Sequence, residues 1–268
     1  MRSAFFGILL VIWGQLVAAE GFIILQSTTS TQNSGLLDAI LPQFEADTGI
    51  AVRVVAVGTG QALRNARNGD GDVLLVHAKS AEESFVADGF GVARYDVMYN
   101  DFIIVGPSSD PAQILHIDTV EQAFAAIAAA GHRFASRGDD SGTHKAELNL
   151  WNLGGVDPSS QSGKWYIETG SGMGATLNVT SGMGAYTLTD RATWVAFENK
   201  GDLAVLFQGD EQLFNQYGVI AVNPAVHPHV KATRSALFID WLTGTEGQNA
   251  IAAYRLDGQQ LFFPNALK

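Results

Sequence analysis

From residue 22 onward, short aliphatic runs alternate with stretches in which apolar positions recur every three or four residues. Residues 22–25, 51–57 and Val73–Val76 are apolar-rich runs of strand length, the pattern of strands covered on both faces. Leu36, Leu37, Ile40, Leu41 and Phe44 fall at helical spacing between the first two runs, and residues 62–67 predict a second, shorter helix. The beginning therefore reads as βαβαβ. Two extended runs follow, 93–97 and 101–105, separated by Met98-Tyr99-Asn100. A turn-rich break at 107–111 then precedes a helix over Val120–Ala130. The series resumes with strands at 133–136 and 164–168, a helix over about 141–150, strands at Leu203–Phe207 and 217–222, and helices at 232–242 and 247–254.

Strands alternating with helices predict an α/β protein of mostly parallel sheets flanked by helices. Two such series joined by an extended crossing predict two lobes with a cleft between them and a hinge near 98–107. Residues 20–100 with 217–268 form the expected first lobe, and 101–216 the second.

The N-terminus adds an address. Arg2, an apolar run over 4–13 and Val17-Ala18-Ala19 before Glu20 predict a secretory signal peptide, residues 1–19, cleaved near Ala19. Its run is shorter than the ~20 residues a membrane-spanning helix needs. The chain has no cysteine, so neither disulfides nor a lipidated cysteine after the leader is expected, which points to a Gram-negative periplasm. A net charge of -11 leaves no cationic excess for nucleic acid or acidic lipid. A monomer without cofactor or resident metal is expected.

Candidate chemistry lies in four turns: Ser27-Thr28-Thr29-Ser30-Thr31, Gly58-Thr59-Gly60, Arg137-Gly138-Asp139-Asp140-Ser141-Gly142-Thr143 and Thr169-Gly170-Ser171-Gly172. Each follows a predicted strand and opens toward a helix, where parallel sheets present ligands to helix N-termini and their free N–H groups. The candidate ligand set is Thr28, Thr29, Thr59, Arg137, Ser141, Thr143, Gly170 and Ser171. Each turn alone is also an ordinary cap, because Ser, Thr and Gly are common there. Arg137 is informative in a chain with only 16 Lys plus Arg: its planar fork suits an oxyanion, and a salt bridge to Asp139 or Asp140 is the alternative. Ser141 lacks a G-x-S-x-G elbow, so a serine hydrolase is a lesser reading and no catalysis is expected. His227-Pro228-His229 lacks companion metal ligands and reads as a loop pair. Ser171-Gly172-Met173-Gly174-Ala175 recurs at 181–185, the first copy opening a helix and the second ending it.

Six blocks in order carry a resemblance. They are Thr28-Thr29-Ser30, the stretch 56–63, the stretch 69–77, Val97-Met98-Tyr99-Asn100-Asp101-Phe102, the stretch 136–144 and Tyr186-Thr187-Leu188-Thr189-Asp190-Arg191. Together they resemble the TupA family of tungstate-binding proteins across nearly the whole mature chain. The resemblance implies a type II periplasmic binding protein fold, with tungstate or another tetrahedral oxyanion held between the lobes. Molybdate, sulfate and phosphate are the alternatives, and the permease and ATPase subunits of an ABC importer are the implied partners. It implies Thr28, Arg137 and Thr143 as contacts; Thr59 and the turn from Gly170 to Met173 follow by position. The chain departs from the family pattern at Ser171 and in the 181–185 copy.

Overall fold

A computed structural model describes residues 21–266; the predicted signal peptide lies outside the described residues. The first lobe is built on β1 (Gly21–Thr28), which pairs in parallel with β2 (Ile50–Val57) and β3 (Val73–Val76). Every residue of β3 is buried because the strand feeds two cores. Val73 and Leu75 join Leu36, Phe44 and Trp241 on one face, while Leu74 and Val76 join Leu63, Ala66 and Phe85 on the other. The covering helices are α1 (Thr29–Asn33), α2 (Leu36–Thr48), α3 (Thr59–Arg67) and α4 (Lys79–Ala87). The sequence pattern missed α4, since KSAEESFVA buries only Glu82 and Phe85 and so shows no apolar stripe.

The two extended runs expected at 93–105 are one 17-residue strand, β4 (Gly91–Pro107). Met98 and Asn100 do not interrupt it because both are buried, and the Asn100 amide finds a partner across the sheet. Its first part lies in the first-lobe sheet and its last residues, from Phe102, in the second-lobe sheet.

The second lobe follows with α5 (Val120–Ala130), β5 (Phe134–Ser136), α6 (Gly142–Leu153), β6 (Tyr166–Glu168), α7 (Met173–Met183), β7 (Thr187–Asp190), α8 (Arg191–Ala196) and β8 (Leu203–Phe207). Helix α5 buries Val120, Ala123, Phe124 and Ile127, the i, i+3, i+4, i+7 stripe of an amphipathic helix. Phe124 and Phe134 meet Trp151 edge-on at 4.5 and 5.0 Å in that lobe's core. The chain returns through β9 (Phe214–Val222), then α9 (Ala232–Thr243), α10 (Thr245–Ala253) and β10 (Phe263–Pro264).

The architecture is the expected two-lobed α/β fold, but the sheets are mixed rather than mostly parallel. Among the described residues three strand pairs run parallel and five antiparallel. The long crossing strands cause this: β4 leaves the first lobe and β9 returns beside it, with Asn100 opposite Asn215. The repeated segment behaves as read, with α7 ending at Gly184 in the left-handed region at φ 58°. Its two copies start ten residues apart, about 15 Å along a helix. Among the described residues no helix is long and apolar enough to cross a membrane.

One glycine is held by close approach. A Cβ at Gly218 in β9 would lie 2.2 Å from Glu82 Oε2 and 2.8 Å from Arg94 Nε, inside the Glu82–Arg94 ion pair of 2.7 Å. Gly218→Ala is expected to cost about 1–3 kcal/mol of stability through overpacking, measured by urea unfolding; unchanged stability would show that the ion pair yields without cost.

Candidate functional site

The site grows from strand ends that point the same way. The parallel strands β1, β2 and β3 deliver the first turn, Gly58-Thr59-Gly60 and His77 to one edge of the first-lobe sheet; β5 and β6 deliver Arg137 and Thr169 in the second. Contacts close these turns into a ring. His77 Nε2 meets Thr28 Oγ1 at 3.3 Å and Ser30 Oγ at 3.2 Å. A Cβ on Gly142 would come within 2.9 Å of His77 Nδ1, and the Gly142 N–H donates to Thr59 Oγ1 at 3.1 Å. On the other side, the Ser171 N–H donates to the Arg137 carbonyl at 3.2 Å, and Thr29 Oγ1 lies 3.7 Å from the Cβ position of Gly172.

Helices α3, α6 and α7 all begin on this ring, and the caps of α3 and α7, Gly58 and Gly172, supply no side-chain bond to their first N–H groups. Their positive dipole ends favour negative charge there. Arg137 is 2% exposed and makes the salt bridge to Asp139 that was its alternative reading. Its Nη2 donates to Asp139 Oδ2 at 2.6 Å, while its buried Nε has no partner. The hydroxyls of Thr29 and Thr143 are likewise buried without a partner. An unmet buried donor costs about 1–3 kcal/mol, so three on one ring mark a place for an acceptor.

The remaining candidates have internal duties. Thr28 Oγ1 caps α1 by accepting from the Thr31 N–H and also bonds Thr31 Oγ1 at 2.6 Å. Ser141 Oγ caps α6 by accepting from the His144 N–H at 3.2 Å. Ser171 Oγ donates to Thr169 Oγ1 at 3.0 Å. Gly170 is an exposed residue at φ 62° with no atom within 4 Å of its Cβ position, between Thr169 and Ser171, whose N–H groups donate to the carbonyls of Ser136 and Arg137. His227 and His229 hydrogen-bond through Nε2 to the carbonyls of Arg67 and Gly69, each at 2.9 Å, as a structural pair.

Sequence reasoning missed the polar groups behind the ring. His77 Nδ1 meets Asn215 Oδ1 at 3.1 Å, and Asn215 Nδ2 donates to Asn100 Oδ1 at 2.6 Å. Burial, helped by the positive charge of Arg137, lowers the His77 pKa to about 4, against the upward pull of the Asn215 bond. Asp190, also buried, caps α8 through the Thr193 N–H and hydroxyl; burial raises its carboxyl although those bonds and Arg137 pull it down. Beneath the Arg137 loop, Glu147 accepts from Ser136 Oγ at 2.7 Å, Tyr166 at 2.7 Å and Trp151 Nε1 at 3.0 Å. Burial pushes it up to about 7 despite those three bonds. The signal available was a Ser136 directly preceding Arg137 and a lone Glu on the buried face of a predicted helix.

Known proteins share this fold. Residues 15–246 match the PBP superfamily domain. The chain is 47% identical over 254 residues to the tungstate-binding protein TupA of Peptoclostridium acidaminophilum, covering 93% of this chain and 88% of that protein. The crystal structure of the tungstate ABC transporter from Geobacter sulfurreducens is 52% identical, with a TM-score of 0.79, over 87% of this chain and 98% of that one. The tungstate-binding protein TupA from Desulfovibrio alaskensis G20 is 47% identical, with a TM-score of 0.78, over 92% of this chain and 100% of that one.

Glu147 makes a proton-linked contribution to stability. Its folded pKa of about 7 lies above the ordinary 4.5, so the contribution is full below 4.5 and lost as pH rises through 7. His77 acts in the opposite sense, removing stability as pH falls from 6.5 toward 4. Glu147→Gln carries no such proton. Relative to this variant the parent is expected to lose on the order of 3 kcal/mol between pH 4.5 and 7, read from urea titrations at several pH values. A pH-independent difference would mean that the carboxyl is unshifted.

Proposed function

This chain belongs to the TupA family of tungstate-binding proteins within the PBP superfamily, and on that premise we propose that it captures tungstate between its lobes and delivers it to the permease and ATPase of an ABC importer. The observation that carries the reading is the set of three buried donors without partners, Thr29 Oγ1, Arg137 Nε and Thr143 Oγ1. A fully deprotonated dianion needs donors only.

The nearby carboxylates support that choice over phosphate, whose remaining proton needs an acceptor. Asp139 Oδ2 takes Arg137 and its Oδ1 takes the Ser141 N–H; Asp140 is held by Arg64 and Lys145. Molybdate shares the charge and nearly the size of tungstate and is the second ligand this site accepts. Thr28, Thr59, Ser141 and Ser171 shape the cleft around the three donors. A serine hydrolase is not favoured, because the His144 ring accepts from the Asp140 N–H at 3.2 Å, away from the proton of Ser141. The protein acts without catalysis, in the periplasm, after cleavage of residues 1–19 near Ala19. Its lobes are 20–100 with 217–268, and 101–216.

Tungstate at a thousandfold excess over its dissociation constant is expected to stabilise the fold by about 4 kcal/mol, seen as a raised Tm, with sulfate and phosphate doing far less. Equal shifts from all three anions would remove tungstate as the ligand. Arg137→Ala is expected to weaken tungstate binding by about 2–5 kcal/mol, roughly thirty- to several-thousandfold, by leaving a desolvated dianion short of a charge. Calorimetry finding parental affinity in that variant would make Arg137 a structural partner of Asp139 alone.

A further inference from the structure

We propose that His77 is a positioning residue for the anion cradle, fixing Thr28 and Ser30 from behind so that Thr29 faces the cleft, and tying all three to the hinge through Asn215 and Asn100. The inference rests on the oxyanion reading above and adds to it a residue that contacts no anion.

The geometry runs in one line. His77 follows β3 directly and is 5% exposed. On one side its Nε2 bonds the hydroxyls at 28 and 30; Thr29, between them, carries the hydroxyl without a partner, next to Gly172 of the second lobe. Anchoring residues 28 and 30 thus holds the middle residue forward. On the other side lies Asn215, the register partner of Asn100, where β4 and β9 pass between the lobes. Asn100 Nδ2 reaches Tyr217 OH at 3.4 Å, and the Tyr217 ring packs against the imidazole at 4.8 Å between centroids. Every member of the chain Thr28, Ser30, His77, Asn215, Asn100 and Tyr217 is buried.

Hydrogen-bond direction makes the relay specific. Asn215 gives its Nδ2 protons to Asn100, so its Oδ1 faces His77, and an oxygen of that kind can only accept. The imidazole proton therefore sits on Nδ1. A neutral ring then leaves Nε2 bare, to accept from the Thr28 or Ser30 hydroxyl, and burial beside Arg137 keeps the ring neutral. Rotation of the hinge strands that moves Asn215 thereby acts on the cradle through two hydrogen bonds.

Two substitutions divide the ring's roles. An asparagine amide at 77 reaches the position of Nδ1 and keeps Asn215; a glutamine amide reaches the position of Nε2 and keeps the hydroxyls. His77→Asn is expected to bind tungstate roughly tenfold more weakly than the parent, with His77→Gln recovering most of that loss, while the ligand-free melting temperatures do not follow the same order. Asn215→Ala provides a second route that leaves the imidazole in place. Nitrogen NMR should show His77 protonated at Nδ1 in the parent and a mixed tautomer in Asn215→Ala, with tungstate affinity falling alongside. Parental affinity in both His77→Asn and Asn215→Ala, or a glutamine variant no better than asparagine, would overturn the positioning role and leave His77 a packing residue. A parent that binds neither tungstate nor molybdate would instead remove the oxyanion reading and this inference with it, a result distinct from variants that bind as well as a binding parent.

Discussion

The structure turns on donors that the protein does not satisfy for itself. Burying Arg137 Nε and the hydroxyls of Thr29 and Thr143 without acceptors costs about 1–3 kcal/mol apiece, a large share of the 5–15 kcal/mol by which domains are stable. Two well-filled cores carry that load, one around Phe44 and Trp241 and one around Trp151 and Phe124. On the proposed reading the same cost becomes binding energy, because an acceptor at that point satisfies donors already desolvated and oriented. Preorganisation of this kind spares the ligand the ordering of loose side chains.

Electrostatics here is local. The chain carries a net charge of -11, yet the cleft gathers one buried guanidinium and the N-terminal ends of α3, α6 and α7, with nearby carboxylates tied to cations or N–H groups. Exposed charges beyond about 10 Å are largely screened at physiological salt. On the proposed reading, neutral donors and Arg137 decide the affinity close to the site. Placing Asp139 on Nη2 also fixes the guanidinium plane.

Much of this was legible in the sequence because it depends on local rules. Helix α5 and strand β3 coincide with the predicted bounds, since continuous burial and a 3.6-residue stripe are written in adjacent residues. The hydroxyl-rich turns were legible because strand ends in parallel pairs impose a common direction. Pairing direction in the crossing strands was not, as Asn100 and Asn215 meet only in the folded chain. His77 carried no signal of its own: a histidine after a buried strand looks the same whether it packs or relays. Gly170 resembles its neighbours in composition, but is exposed in the left-handed region.

The lobes meet through polar contacts at the site and through α8, whose Ala192 and Val195 pack into the first-lobe core. The Gly142 N–H reaches Thr59 Oγ1, the Gly60 N–H reaches the Asp140 carbonyl at 3.3 Å, and Arg64 pairs with Asp140 at 3.2 Å. The ion pair is half-exposed on both sides, and exposed pairs contribute only about 0–1 kcal/mol. A ligand shifts a two-state equilibrium only by its differential affinity for the two states. On the proposed reading, donors from both lobes, Thr29 on one side and Arg137 with Thr143 on the other, give the anion that difference. On the same reading, separating the lobes for release parts Thr29 from Arg137 and Thr143, so that neither lobe alone presents all three donors.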